Sequence, residues 1–151
     1  MDKQKSPTVK RAKKHFIKDY NCAQSILLTM SEHFKLHNDL IPKIATAFGG
    51  GIGRCGSLCG ALTGGVMVIG MRHGTSRPGV EKRMKAYRLA RTFYERFVQQ
   101  CGSPLCRELI GYDLSQPKEL EKARELNVFD KKCPILIEKA VEILLELESA
   151  A

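Results

Sequence analysis

The chain reads as an all-α protein, a compact helical bundle with a glycine-rich, cysteine-containing loop between helices. Three observations predict this. Val, Ile and Leu recur at helical spacing and never alternate over a run. Capping residues or prolines stand at almost every helix start. No Asn-Gly or Asp-Gly hairpin signal occurs. At 151 residues with 43% hydrophobic content, one domain with a real core is expected. The absence of Trp leaves that core to Leu, Ile, Val, Ala and Met.

Residues 1–7 are charged and polar and are expected to be a disordered tail, with one domain over 8–151. From Thr8 to Asp19 the pattern is a basic amphipathic helix with Val9, Ala12, Phe16 and Ile17 on its seam. Asn21 is a good N-cap. It opens a helix over 22–33 with Ala23, Ile26, Leu27 and Met30 on the apolar side. Asn38 or Asp39 caps a short helix carrying Ile41, Ile44, Ala45 and Phe48.

The segment from Phe48 to Gly65 follows, and the rest of the chain is arranged around it. It holds Gly49, Gly50, Gly51, Gly53, Gly56, Gly60, Gly64 and Gly65, of thirteen glycines in all, with Cys55 and Cys59 among them. Glycine takes a positive φ and lets another backbone or a ligand come close. Gly49, Gly50, Gly51, Gly53, Gly60 and Gly64 are therefore candidate positions at a bound cofactor. Ser57 is expected to cap the helix after the loop, with Gly56, Gly60 and Gly64 in one small-residue stripe.

Pro78 is expected to open the longest helix, to about residue 100. Val80, Met84, Tyr87, Tyr94, Val98 and Cys101 form its apolar spacing, and Arg83, Lys85, Arg88, Arg91 and Arg96 its basic face. Gly102 stops it. Ser103-Pro104 starts a short helix that Gly111 ends. Pro117 starts a polar helix to about Leu126, and Pro134 the last one, to about Glu148.

Two motifs have dull explanations. Gly51-Ile-Gly53-Arg-Cys-Gly56 matches a dinucleotide fingerprint but lacks both the preceding strand and the later acid. His33 and His37 have zinc-chelating spacing but lie in a polar stretch and read as exposed. His15 and His73 have no partner in sequence.

The cysteines carry more. Cys22, Cys59, Cys106 and Cys133 each fall at or near a predicted helix start, where free N–H groups and the helix dipole favour a thiolate. Cys55 and Cys101 do not. Spacings of 37, 47 and 27 residues fit no zinc-finger or ferredoxin pattern.

The motifs Asn21-Cys22-Ala23, Phe48-Gly-Gly-Gly-Ile-Gly53, Cys59-Gly-Ala-Leu-Thr-Gly64, Cys106 and Cys133 resemble the C_GCAxxG_C_C family of redox-active proteins. The resemblance covers nearly all of the chain after about residue 12. It implies a small prokaryotic redox protein whose working cysteines are Cys22, Cys59, Cys106 and Cys133.

Three readings follow. In the leading one the four thiolates hold an iron–sulfur cluster or another thiolate-bound metal for electron transfer. The second is a thiol–disulfide oxidoreductase without metal, weakened by the lack of a C-x-x-C. The third is a zinc-stabilised binding module. The net charge of +9 fits an acidic redox partner protein. A homo-oligomer is the other association considered. No helix-turn-helix or finger signature points to nucleic acid. The apolar run ending at Met71 is too short for a membrane span. No signal peptide is visible, so the expected location is the cytoplasm.

Overall fold

The structure is a computed structural model and describes residues 6–151. Most of the expected tail therefore lies outside the described residues. Its last two positions do not belong to a tail: Ser6 accepts a hydrogen bond from the Thr8 amide (3.2 Å), and Pro7 is the first residue of helix α1 (Pro7–Ile17). Proline fits there because the first helical N–H has no partner to lose. Val9 and Ala12 are buried as the spacing requires, but Ile17 is 77% exposed at the frayed end.

Helix α2 (Cys22–His33) starts at Asn21. The Asn21 side chain accepts from the Gln24 amide, and the Gln24 side chain accepts in return from the Asn21 amide. This reciprocal cap satisfies two donors that a helix start leaves open. Ala23, Ile26, Leu27 and Met30 are fully buried. A 3₁₀ helix at Lys43–Phe48 leads into the glycine loop. Helix α3 (Gly60–His73) follows. It is capped at Cys59, not at Ser57. Ser57 instead takes part in a short extended pairing described below.

Helix α4 (Val80–Cys101) opens after Gly79 and ends at Gly102, whose φ of 97° suits only glycine. Helix α5 (Cys106–Ile110) ends at Gly111, and helix α6 spans Pro117–Glu125. Helix α7 (Val128–Ala150) has 23 residues against 22 for α4, so the last helix is the longest. It begins six residues before Pro134, which sits inside it. Among the described residues no segment forms a strand, and Leu58 and Leu105 make one isolated antiparallel bridge.

α2 and α3 pack face to face because α3 is small where they meet. A Cβ on Gly64 would lie 2.8 Å from the Ala23 carbonyl oxygen and 3.0 Å from its Cα. Gly64 is thus a packing residue between helices. Gly56 leaves the expected stripe: it lies before α3 and faces Arg107.

The main core collects Ile26, Leu27, Met30, Leu62, Phe93, Phe97, Ile137 and Leu144 from α2, α3, α4 and α7. The Phe93 ring fills the space over Gly65. The apolar spacing expected for α4 is therefore wrong in its first half. Val80 (61%), Tyr87 (58%), Met84 and Tyr94 are exposed, while Phe93 and Phe97 are buried. A competing set with the same spacing, Ala86, Leu89, Ala90, Phe93 and Phe97, turns inward because two phenyl rings remove more apolar surface from water. A second, smaller core of Cys106, Ile110, Leu114, Ala123, Val128 and Cys133 joins α5 and α6 to the start of α7.

Candidate functional site

Cys22 and Phe16 pack against both cores, so the seam between the two runs past Cys22. A cavity of about 540 Å³ opens at this seam, and Cys22, Cys59, Cys106 and Cys133 all line it. Gly49, Gly50, Gly51, Gly53 and Gly60 line it too, whereas Gly64 does not. Cys55 is exposed and Cys101 half-buried, and neither reaches the wall. All six cysteines are free thiols.

Separate local devices deliver the four sulfurs. Cys22 is the first residue of α2, held by the Asn21 cap, which also donates from Nδ2 to the Thr46 carbonyl (2.9 Å). Cys59 and Cys106 are brought together by the extended pairing of 56–59 with 104–107. Cys59 N donates to the Pro104 carbonyl (2.8 Å), Cys106 N to that of Ser57 (2.7 Å) and Arg107 N to that of Gly56 (3.1 Å). Arg107 closes the same seam through its guanidinium, which donates to the carbonyls of Gly56 and Cys55 (both 3.2 Å). Cys133 comes from the second turn of α7, and Lys132 beside it donates to the Ile110 carbonyl at the end of α5 (3.1 Å).

The helix-start placement of the cysteines thus holds for Cys22, Cys59 and Cys106 and fails for Cys133. Cys133 lies inside its helix, since Pro134 does not open it. Cys106 begins a helix of only five residues and spends its own N–H on Ser57. The four converge for a different reason, the tertiary meeting of two cores.

The glycine loop forms the remaining wall. Gly50, Gly51, Ile52, Gly53 and Arg54 all have φ between 54° and 69°, one left-handed turn. For the β-branched Ile52 this is a costly conformation. Chain-reversing bonds hold it, among them Gly53 N to Ala47 O (2.8 Å) and Ser57 N to Gly51 O (2.9 Å). At Gly51 only glycine fits: a Cβ would lie 2.6 Å from the Ser57 nitrogen and 2.7 Å from the Cys106 Cβ. The amides of Gly50 and Gly51 donate to no acceptor among the described residues, although Gly51 is buried.

Burial dominates the thiol electrostatics, contrary to the thiolates expected from the helix dipoles. It pushes Cys59 up to about 12, against the opposing amides of Ala61 and Leu62. It pushes Cys106 up to about 11. Cys22 and Cys133 behave as a pair. Cys22 donates to the Cys133 sulfur, which raises Cys22 and lowers Cys133. Cys133 is the member of the pair that loses its proton first. Removing a thiolate from water outweighs the partial charge of a helix end.

Among the described residues no three His, Cys, Asp or Glu are arranged to hold one metal ion. His33 and His37 are both exposed, as expected, and His33 contacts Thr8 (3.2 Å). His15 and His73, without partners in sequence, meet Glu32 and Glu148. Sequence reasoning missed Arg54 and Arg124, which line the cavity beside Phe16 and Phe129. Arg54 lay within the glycine segment, but nothing in the sequence signalled Arg124.

A sequence profile described as "Putative redox-active protein (C_GCAxxG_C_C)" matches residues 20–147. An uncharacterized protein of Archaeoglobus fulgidus is 30% identical over 134 residues, covering 83% of this chain and 82% of that protein. No solved structure matches the chain. The matched span contains all four cavity cysteines and the left-handed glycine turn, and the chain belongs to the C_GCAxxG_C_C family of redox-active proteins.

Proposed function

We propose that the four-cysteine cavity is the redox centre and that Cys22, Cys59, Cys106 and Cys133 hold an iron–sulfur cluster, or another thiolate-bound metal centre, for electron transfer. The observation that carries this reading is the meeting of four sulfurs from α2, α3, α5 and α7 on one 540 Å³ cavity. A dithiol needs two sulfurs and little space; this wall presents four. The donor set suits an anionic centre. The Gly50 and Gly51 amides have no acceptor among the described residues, and buried N–H groups such as that of Gly51 are rarely left unpaired. Amides near cluster sulfurs tune the potential. Among the described residues no three ligating side chains are grouped around one ion, so the reading rests on the shared cavity of the four sulfurs.

Bound there, a cluster would supply one-electron chemistry. The chain supplies the rest: apolar walls from Phe16, Phe129 and Leu136 to exclude water, and thiols whose deprotonation a metal would offset. The proposed protein partner is acidic and docks on α4, where Arg83, Lys85, Arg88 and Arg91 are exposed beside Val80 and Tyr87. Two of the expected cations are already engaged, Arg91 with Glu95 and the half-buried Arg96 with Glu146, which leaves Arg83, Lys85 and Arg88 as the main docking charges. A second copy would bring like charges together there.

One observation favours a second reading. The Cys22–Cys133 contact is what a dithiol–disulfide couple would use. Visible spectroscopy on anaerobically purified protein separates the two. The leading reading expects a brown protein with stoichiometric iron. A colourless, iron-free protein in which Cys22→Ser and Cys133→Ser alone abolish reversible oxidation would replace it with the second.

A further inference from the structure

Among the described residues nineteen line the cavity, and none of these is Asp or Glu. Two are arginines. Arg54 and Arg124 are both exposed, and neither side chain makes a hydrogen bond or ion pair among the described residues. Some cations elsewhere pair with carboxylates, as Arg11 does with Glu32, Lys13 with Glu138, Arg72 with Glu148 and Arg91 with Glu95. The two arginines at the cavity have no counter-charge in the wall they line.

Arg54 is also placed, not loose. It ends the left-handed turn with φ 65°, an unusual conformation for arginine. Its stem lies over Gly50: a Cβ there would come within 2.7 Å of the Arg54 Cγ. The glycine thus makes room for the arginine. Arg124 reaches the same wall from α6, the element behind the second core. The free amides of Gly50 and Gly51 belong to this wall as well. Asp130, an acid that acts on Cys133, is absent from it.

The geometry points to a second role for the cavity mouth, a binding site for a small oxyanion-bearing molecule clamped between Arg54 and Arg124. Guanidinium groups match carboxylate and phosphate oxygens with two parallel donors each. Both arginines and all four cysteines line the one cavity, so a ligand held by the arginines would lie next to a centre held by the sulfurs. Such a molecule would be the small redox partner or effector of the centre. That last step rests on the redox reading, whereas the binding itself does not.

The test is calorimetric titration of the full chain with citrate and, separately, pyrophosphate, at constant ionic strength. Wild type should bind at least one of them at a single site. Citrate binding alone would assign carboxylate chemistry, and pyrophosphate alone phosphate chemistry. Arg54→Gln with Arg124→Gln should weaken binding at least tenfold, since a good charge-assisted contact is worth about 1.5–3 kcal/mol. The double Lys variant keeps the charge but loses the paired donors and should bind more weakly than wild type and more tightly than the Gln variant; binding equal to wild type would overturn the paired-donor clamp. Unchanged melting temperature and metal content in both variants would show that neither fold nor centre was disturbed. No binding of either anion, or equal binding by the Gln variant, would overturn the site. A wild-type protein that is colourless and redox-inert yet still binds the anion would leave this site standing and count against the redox reading alone.

Discussion

A single methylene-sized gap separates two kinds of glycine in this molecule. At Gly51 an added Cβ would meet Ser57 and Cys106, whereas at Gly53 it would meet nothing within 4 Å. Both have positive φ, so both alanine variants carry a backbone cost of about 1–2 kcal/mol. Only Gly51→Ala should add a clash that displaces Cys106. It is expected to lose the bound centre and several degrees of melting temperature, with Gly53→Ala keeping the centre. Equal retention in both would show that the Gly51 contact does not set the cavity. The thiols give a pH prediction for the metal-free form. Cys59 and Cys106 sit above the ordinary 9.0 when folded, at about 12 and about 11, so the native state holds protons that the unfolded state has released. Stability is then full below pH 9 and falls as pH rises toward 11 and 12. Melting temperature should drop across that window, and Cys59→Ala should flatten the drop. A flat profile in the parent protein would contradict the burial of these thiols. Cys22, Cys59, Cys106 and Cys133 were all legible as residues that line the cavity, from predicted helix starts and from the family motifs together. Arg124 was not, because only the folding of α6 over the second core brings it to the wall.

Helices were legible because period and caps agree, and their interior faces less so. In α4 two stripes of equal spacing compete, and the winner is decided by Gly65 on another helix, which accepts the Phe93 ring. No pattern within α4 contains that information. Phe93→Ala or Phe97→Ala should therefore cost about 3–5 kcal/mol in denaturant unfolding. Met84→Ala and Tyr87→Ala should cost less than about 1 kcal/mol, as exposed positions do. The reverse order would restore the stripe that the sequence suggested. Likewise Pro134 looked like a helix start because proline usually is one. Here α7 runs through it, which moves Cys133 from the end of a helix to its second turn. The bridge joining 56–59 to 104–107 had no sequence signature, since one pair of residues makes no alternation.

Across the whole molecule, charge and connectivity matter more than any one contact. With a net charge of +9, docking of an acidic protein on α4 should weaken by an order of magnitude or more from low to physiological salt. Reversing Arg83 and Arg88 to Glu should remove that dependence, as read by titration at several ionic strengths. Binding indifferent to salt would count against the docking face. No helix among the described residues is long and apolar enough to cross a membrane. The order in which the cysteines occur along the chain also has a consequence for biosynthesis. Cys22 leaves the ribosome early, but Cys133 belongs to α7, which packs against α1 at the opposite end of the chain. A nascent chain cannot close the cavity until α7 has been made, so three sulfurs wait unshielded while the fourth is still being added. Any centre held by all four must be loaded after α7 has left the ribosome, and a ribosome-stalled chain lacking α7 should stay empty however much iron and sulfide surround it.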